Sequence, residues 1–207
     1  MSQSPNAEST YTEWRHQLRD GLKPLQDSLV PLFHETLFRI YSSTLMPGLL
    51  QTEGYAAGVL RSVANFPDLP FDDSAEAARA RVERSRILHE PGHEFVLLVE
   101  EPVLYHQIPE PESMAAQLEY LVTASALPAV SFGIIPLDTR EREQWPQETF
   151  HVYDESLVSV ELVSAEVKIT QPPEIALYLQ MFEQLRSMAV YGAEARALIM
   201  KALEALR

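Results

Sequence analysis

The chain has no cysteine among its 207 residues. That excludes disulfides, thiol nucleophiles and cysteine-ligated metals, and it suits a reducing, cytoplasmic setting. Glycine is scarce, at seven residues. None forms a GxGxxG turn, a P-loop or a GxSxG elbow, so no nucleotide cofactor and no serine-hydrolase elbow is expected. Positive charge is also short: 16 Lys and Arg stand against 30 Asp and Glu, a net charge of −14. Nucleic-acid affinity comes from cations that neutralise phosphates, so direct binding of DNA or RNA is not expected. There is no apolar run near 18 residues and no leader-like N-terminus, which predicts neither a membrane span nor export.

What remains is a core-forming composition. Apolar residues make up 46% of the chain, enough for a sizeable interior. Residues 1–10 have no core former and read as a flexible tail, and 11–207 read as a single α/β domain. Tyr11, Trp14, Leu18, Leu22, Leu25, Leu29 and Leu32 recur at helical steps, broken by Pro24 and Pro31 into two or three short helical pieces.

Leu37–Tyr41 reads as a strand, Pro47-Gly48 as a turn, and Leu49–Leu60 as a helix with Gln51-Thr52 in its first turn. Asn65–Pro70 reads as a loop. Asp72, Asp73 or Ser74 then caps a helix over Ala75–Leu88. Phe95–Val99 is apolar without alternation, as in a strand covered on both faces. A helix at Glu112–Ser125, a strand at Val130–Pro136 and a long polar segment at Leu137–Gln147 follow, the last a candidate lid. Thr149–Tyr153 and Leu157–Val163 form a hairpin, Val167–Thr170 adds a third strand, and two helices close the chain. The fold class is therefore α/β with an α+β tendency: one mixed sheet of about six strands, parallel in its β-α-β-α-β part, flanked by helices and bounded by N- and C-terminal helical segments. Either helical segment offers a surface for a homodimer.

Charged positions set the candidate chemistry. Arg79, Arg81, Arg84 and Arg86 are spaced two, three and two apart. They read as a fan around a solvated helix, partnered by Glu76 and Glu83. His89 and His93 have metal-ligand spacing, but Pro91-Gly92 between them destroys the helix such a pair needs, so no metal site is expected. Glu100-Glu101 follow the central strand. Adjacent side chains on an extended chain point opposite ways, so one is expected in a cleft and the other in water. His151 reads as a satisfied strand histidine.

The segment Phe38…Tyr41…Met46-Pro47-Gly48-Leu49-Leu50-Gln51-Thr52…Tyr55-Ala56 carries a resemblance. With Arg84–Leu88, Val99–Leu104, Gln117–Leu121, Leu127-Pro128, Val130–Pro136 and Tyr153…Glu161 following in order, the chain resembles the C-terminal domain of unknown function of actinobacterial antitoxin-like transcriptional regulators. In that family a helix-turn-helix domain usually precedes this region; the expectation here is the domain without its DNA-binding half. The resemblance implies a sensor or interaction domain, often encoded near a small partner protein. The arginines common after the Glu-Glu strand are replaced by Tyr105 and His106.

Two functions follow as expectations. The first is a stand-alone domain acting in regulation, which binds a small partner protein or a small-molecule ligand through Gln51, Thr52, Tyr55, Tyr41, Glu101, Tyr153 and Glu161. The alternative is a small transferase or hydrolase recruited from the same family, with a biosynthetic cluster as its expected setting and Glu101 and Glu161 as acid–base candidates. Against a catalytic role, both glutamates read as capping groups or as ion-pair partners of Arg84 or Arg86. Gln51→Ala is expected to lose binding with little loss of folding.

Overall fold

The computed structural model describes residues 10–65 and 72–206. Its frame is a mixed sheet of seven strands: β1 (Thr10–Glu13), β2 (Leu37–Ser42), β3 (Glu94–Glu100), β4 (Val130–Ile135), β5 (Phe150–Tyr153), β6 (Leu157–Glu161) and β7 (Ala165–Ile169). They lie in the order β1-β7-β6-β5-β2-β3-β4. β2, β3 and β4 are parallel, and every other pairing is antiparallel. The parallel part needs long crossovers. These are α3 (Glu53–Asn65) with α4 (Ser74–Arg84) between β2 and β3, and α5 (Pro111–Ala124) between β3 and β4. The antiparallel part needs only tight turns, and Asp154 in the β5–β6 turn takes the left-handed φ of 48°.

Before the sheet come α1 (Trp14–Gln17) and α2 (Leu22–Asp27), with a 3₁₀ segment at Val30–His34. After it come α6 (Pro172–Ser187) and α7 (Gly192–Ala205). On one face Phe38, Ile40, Phe95, Leu97, Val99, Phe132 and Ile134 pack with residues of α3, α5 and α7. On the other, Tyr41, Leu98, Val152, Val158 and Val160 pack with Ile175, Phe182 and Leu185 of α6. Phe95–Val99 of β3 are apolar without alternation because both faces of the strand are covered there. Gly133 is a close approach: a Cβ there would sit 2.8 Å from Leu98 and from the Tyr191 ring.

Several expectations are corrected. Thr10–Glu13 is a strand: neither tail nor helix, it pairs with Lys168–Ala165 of β7. The tail at 1–9 and the loop at 66–70 lie outside the described residues. The helix after Pro47-Gly48 does not begin at Leu49. Gly48–Leu50 form a 3₁₀ turn, Gln51 is extended, and α3 starts at Glu53. α4 ends at Arg84 and continues as a 3₁₀ segment, Ser85–His89. Asp72 accepts the Ser74 N–H at 2.9 Å. The Asp73 carboxylate instead caps another helix, accepting the Leu22 and Lys23 N–H groups of α2 at 2.9 and 2.8 Å. No helix among the described residues is long and apolar enough to cross a membrane.

Candidate functional site

The strands β5, β6 and β7 have one apolar and one polar face. Alternation sends Phe150, Val152, Val158, Val160, Val167 and Ile169 toward α6 and leaves His151, Tyr153, Ser159, Glu161, Glu166 and Lys168 on the opposite side. Register sets His151 beside Ser159, Ser159 beside Lys168, and Glu161 beside Glu166. Two carboxylates directly opposed on neighbouring strands repel. Glu166 is compensated: it accepts from the Ser159 hydroxyl at 2.8 Å and from Gln17 Nε2 at 3.2 Å, and pairs with Lys168 at 3.4 Å. Glu161 is exposed, and its carboxylate makes no hydrogen bond or ion pair among the described residues.

A second group of polar side chains comes from α4 and α2. Arg81 donates from Nε to Gln26 Oε1 at 3.1 Å and from Nη1 to Gln51 Oε1 at 2.8 Å. Arg84 donates from Nη1 to the Gln26 carbonyl at 2.6 Å and from Nη2 to Gln26 Oε1 at 2.7 Å, while its Nε is buried without a partner. Both guanidiniums are thus held by neutral oxygens. Their hydrogen bonding is largely met, but their charge is not neutralised by contact.

The two groups of residues influence each other electrostatically. Burial lowers Arg81, opposed by the attraction of Glu161. Burial and then the like charge of Arg81 bring Arg84 down to about 10. Burial also lowers His151, against the pull of Glu161 and Glu166, and raises Tyr153, with Glu161 and Glu166 adding to the rise. At neutral pH the site therefore holds two guanidinium cations, a neutral imidazole and a neutral phenol. A serine nucleophile would need its hydroxyl on the histidine. Here Ser159 donates to Glu166, and His151 Nδ1 lies 3.3 Å from the Tyr153 hydroxyl. The arrangement is suited to holding polar groups, not to acyl transfer.

The residues singled out from sequence are divided among three places. Gln51, Tyr153 and Glu161 lie around Arg81 and Arg84. Gln51 is buried, with Nε2 donating to the Met46 carbonyl at 2.7 Å and Oε1 accepting from Arg81. Its amide is used inside the protein to aim that arginine. Thr52 and Tyr55 belong to the packing of the turn. The Thr52 N–H donates to Gln117 at 2.8 Å, and the fully buried Tyr55 accepts the Met46 N–H at 3.4 Å.

Tyr41 and Glu101 sit at the carboxyl ends of β2 and β3, apart from that cluster. Tyr41 donates to Glu100 at 2.9 Å. Glu101 accepts the Leu137 N–H at 2.8 Å and faces Lys201 at 3.4 Å. Neither glutamate of the pair faces water, since both are 3% exposed. Glu101 pairs with Lys201, in place of the expected Arg84 or Arg86. The 137–147 segment is fastened at Glu100 through Arg142, at Gln184 through Gln144, and at Tyr41 through the Gln147 N–H.

Arg81, Arg84, His151, Ser159, Glu166 and Gln26 were not anticipated as site residues. Arg79 and Arg86 do pair with Glu76 and Glu83 on the surface; Arg81 and Arg84 turn inward. A signal existed in the order Ala77, Arg81, Arg84, Leu88, whose steps of four, three and four define one helical face. Its two apolar members are buried. Among the described residues no group of three or more His, Asp or Glu is placed to hold a metal.

A family model described as a domain of unknown function (DUF5753) matches residues 36–201. A comparison with curated proteins found no match. Among solved structures the chain is similar to NucT from Helicobacter pylori, with 9% identity, a TM-score of 0.48, and coverage of 89% of this chain and 99% of that one. It is also similar to Nuc from Salmonella typhimurium, a phospholipase D family member, with 9% identity, a TM-score of 0.46, and coverage of 89% and 97%. The archaeal chromatin protein TrmBL2 gives 12% identity and a TM-score of 0.42, covering 93% of this chain and 57% of that one.

Proposed function

We propose that this chain, which belongs to the DUF5753 family, is a small-molecule-binding domain that acts in regulation without touching nucleic acid itself. Its ligand lies between α4 and the polar face of β5–β7. The resemblance to the C-terminal domain of antitoxin-like regulators supports the regulatory half of this reading, and the net charge of −14 supports the absence of nucleic-acid contact. One observation carries the site: Arg81 and Arg84 are half-buried cations whose contacts are neutral glutamine oxygens. Burying uncompensated charge is unfavourable. A ligand bearing a carboxylate or phosphate would compensate it, and the buried, unpartnered Nε of Arg84 is a donor already in place.

The test is calorimetric titration of the purified protein with inorganic phosphate, butyrate and 6-aminohexanoate. Saturable binding of at least one is expected, lost in Arg84→Met while the circular dichroism spectrum is unchanged. Saturable binding that survives Arg84→Met, or none by any of the three at millimolar concentration, would overturn the reading.

A further inference from the structure

We infer that a groove between α6 and the segment leading into β5 is a separate binding site, for a small organic ammonium with a compact apolar body. It lies on the α6 side of the sheet. The other side is covered by α3, against which α4 and its arginines pack.

The groove has a volume of about 130 Å³ and is lined by Gln147, Glu148, Phe150, Leu177, Tyr178 and Met181. Its apolar wall follows from helix geometry. Met181 stands four residues after Leu177 and three after Tyr178, so the three share one side of α6. Ile175, Phe182 and Leu185 of the same helix face the core instead, and Leu177 is left 65% exposed. Phe150 reaches the groove from β5. Its ring meets that of Tyr178 edge to face, with centroids 5.0 Å apart and planes at 67°. Two rings set this way form a corner, which suits a compact body.

The other wall is polar and held in place. Gln144 donates to Gln184 of α6 at 2.9 Å, and the Gln147 N–H donates to the Tyr41 hydroxyl at 3.2 Å. Both contacts fix the chain just before Glu148. The Tyr178 hydroxyl then donates to Glu148 Oε1 at 3.1 Å. Burial and the neighbouring Glu148 push this phenol up to about 12, so it keeps its proton at neutral pH. The carboxylate is thereby anchored at the lip of an apolar groove.

These features select the ligand. The volume is close to that of the roughly 150 Å³ cavity that takes up benzene, so one ring or one branched alkyl group fills it. Glu148 is the charged member of the lining, with no Lys or Arg in it, and the chain as a whole carries −14. An anion is repelled there. A neutral body fills the groove but does not use the carboxylate. An ammonium on the same body pairs with Glu148 and is attracted by aromatic faces as well.

The experiment titrates the protein, labelled at its Leu and Met methyl groups, with two matched pairs: benzylammonium with benzyl alcohol, and cyclohexylmethylammonium with cyclohexylmethanol. Saturable shifts of the Leu177 and Met181 methyl resonances are expected. In at least one pair the ammonium is expected to bind about threefold or more tightly, the scale of an exposed ion pair. Glu148→Gln should remove that difference and leave the affinity for the alcohol unchanged. The position is exposed and the amide keeps an acceptor for Tyr178, so the variant is expected to fold, and its urea midpoint checks this. Leu177→Asn, also at an exposed position, should weaken both members of a pair alike. Methyl resonances that stay in place at millimolar ligand overturn the site. Equal affinity within both pairs, or a preference that survives Glu148→Gln, overturns the assignment of an ammonium.

Discussion

Arg142 reaches back from the segment between β4 and β5 and grips Glu100 with both terminal nitrogens, Nη2 to Oε1 at 2.6 Å and Nη1 to Oε2 at 3.1 Å. The Glu100 side chain is 4% exposed and that of Arg142 is 21% exposed, and Tyr41 donates a further hydrogen bond to the same carboxylate. Removing one partner of such a pair leaves the other charge buried alone, which costs about 3–5 kcal/mol. Arg142→Ala should therefore lower the urea midpoint strongly. In hydrogen exchange it should deprotect residues 137–147, which Arg142 helps fasten to the strand ends. Unchanged protection there would show that the other anchors suffice.

Gln51 lies in the most specific sequence motif of the chain, and its amide is fully engaged by Met46 and Arg81. Gln51→Ala leaves the Met46 carbonyl and one Arg81 donor without those partners, at about 1–3 kcal/mol for each buried group left unsatisfied. A fall in melting temperature is expected together with any loss of binding. Wild-type stability with lost binding would instead make Gln51 a direct ligand contact.

Asp73 is distant in sequence from the helix it caps. Asp73→Ala removes the acceptors for the Leu22 and Lys23 N–H groups, so a loss of about 1 kcal/mol is expected, as for other cap removals. Urea denaturation should show a lower midpoint at unchanged slope. Asp73→Asn, which keeps one acceptor oxygen, should recover part of the loss.

Gly58 lies inside α3, where alanine is intrinsically better by about 1 kcal/mol. A Cβ at this position would come within 2.9 Å of Pro109 Cβ and 3.0 Å of its Cα. Overpacking of this kind costs about 1–3 kcal/mol, and backbone cannot swing aside as a flexible side chain does. Gly58→Ala is expected to be neutral to destabilising, against the propensity scale. A rise in melting temperature would mean that the loop before α5 yields freely.

Stability should fall at alkaline pH. Burial raises Tyr41, Tyr55 and Tyr153, and burial with Glu148 raises Tyr178 to about 12. In the unfolded chain these phenols ionise near their ordinary 10. Above that pH the unfolded state binds fewer protons than the folded one, so stability is complete below about 10 and declines as pH rises through the raised values. His151 gives the opposite limb. Its lowered value means that the unfolded state takes up protons first as pH falls below about 6.5. Melting temperature against pH reads both limbs, and Tyr178→Phe should soften the alkaline one.

The local parts of this architecture were legible. Phe95–Val99 announces a doubly covered strand, and the alternation in Thr149–Val163 announces the hairpin, because each pattern is set by neighbours two to four residues away. Thr10–Glu13 was not legible as a strand. Its partner, Ala165–Lys168, lies at the other end of the chain, and Tyr11 and Trp14 have helical spacing that the long-range pairing overrides. The site divides the same way. Tyr153 and Glu161 were visible as polar positions at strand ends. Arg81 and Arg84 were not, because charges on a helix ordinarily face water and only Gln26 and Gln51 give them partners inside.

Residue order alone specifies a core-forming, cysteine-free acidic chain, the kinds and order of most of its elements, and a Pro-Gly turn followed by Gln-Thr. These follow from composition and short-range periodicity, which act wherever the rest of the chain goes. Tertiary structure decided what that turn is for. By bringing α4 against it, the fold makes Gln51 the holder of Arg81. By setting α2 beside α4, it turns Arg81 and Arg84 inward onto Gln26. Such a charge arrangement depends on which distant segments meet, and it arises only when the sheet and its covering helices come together.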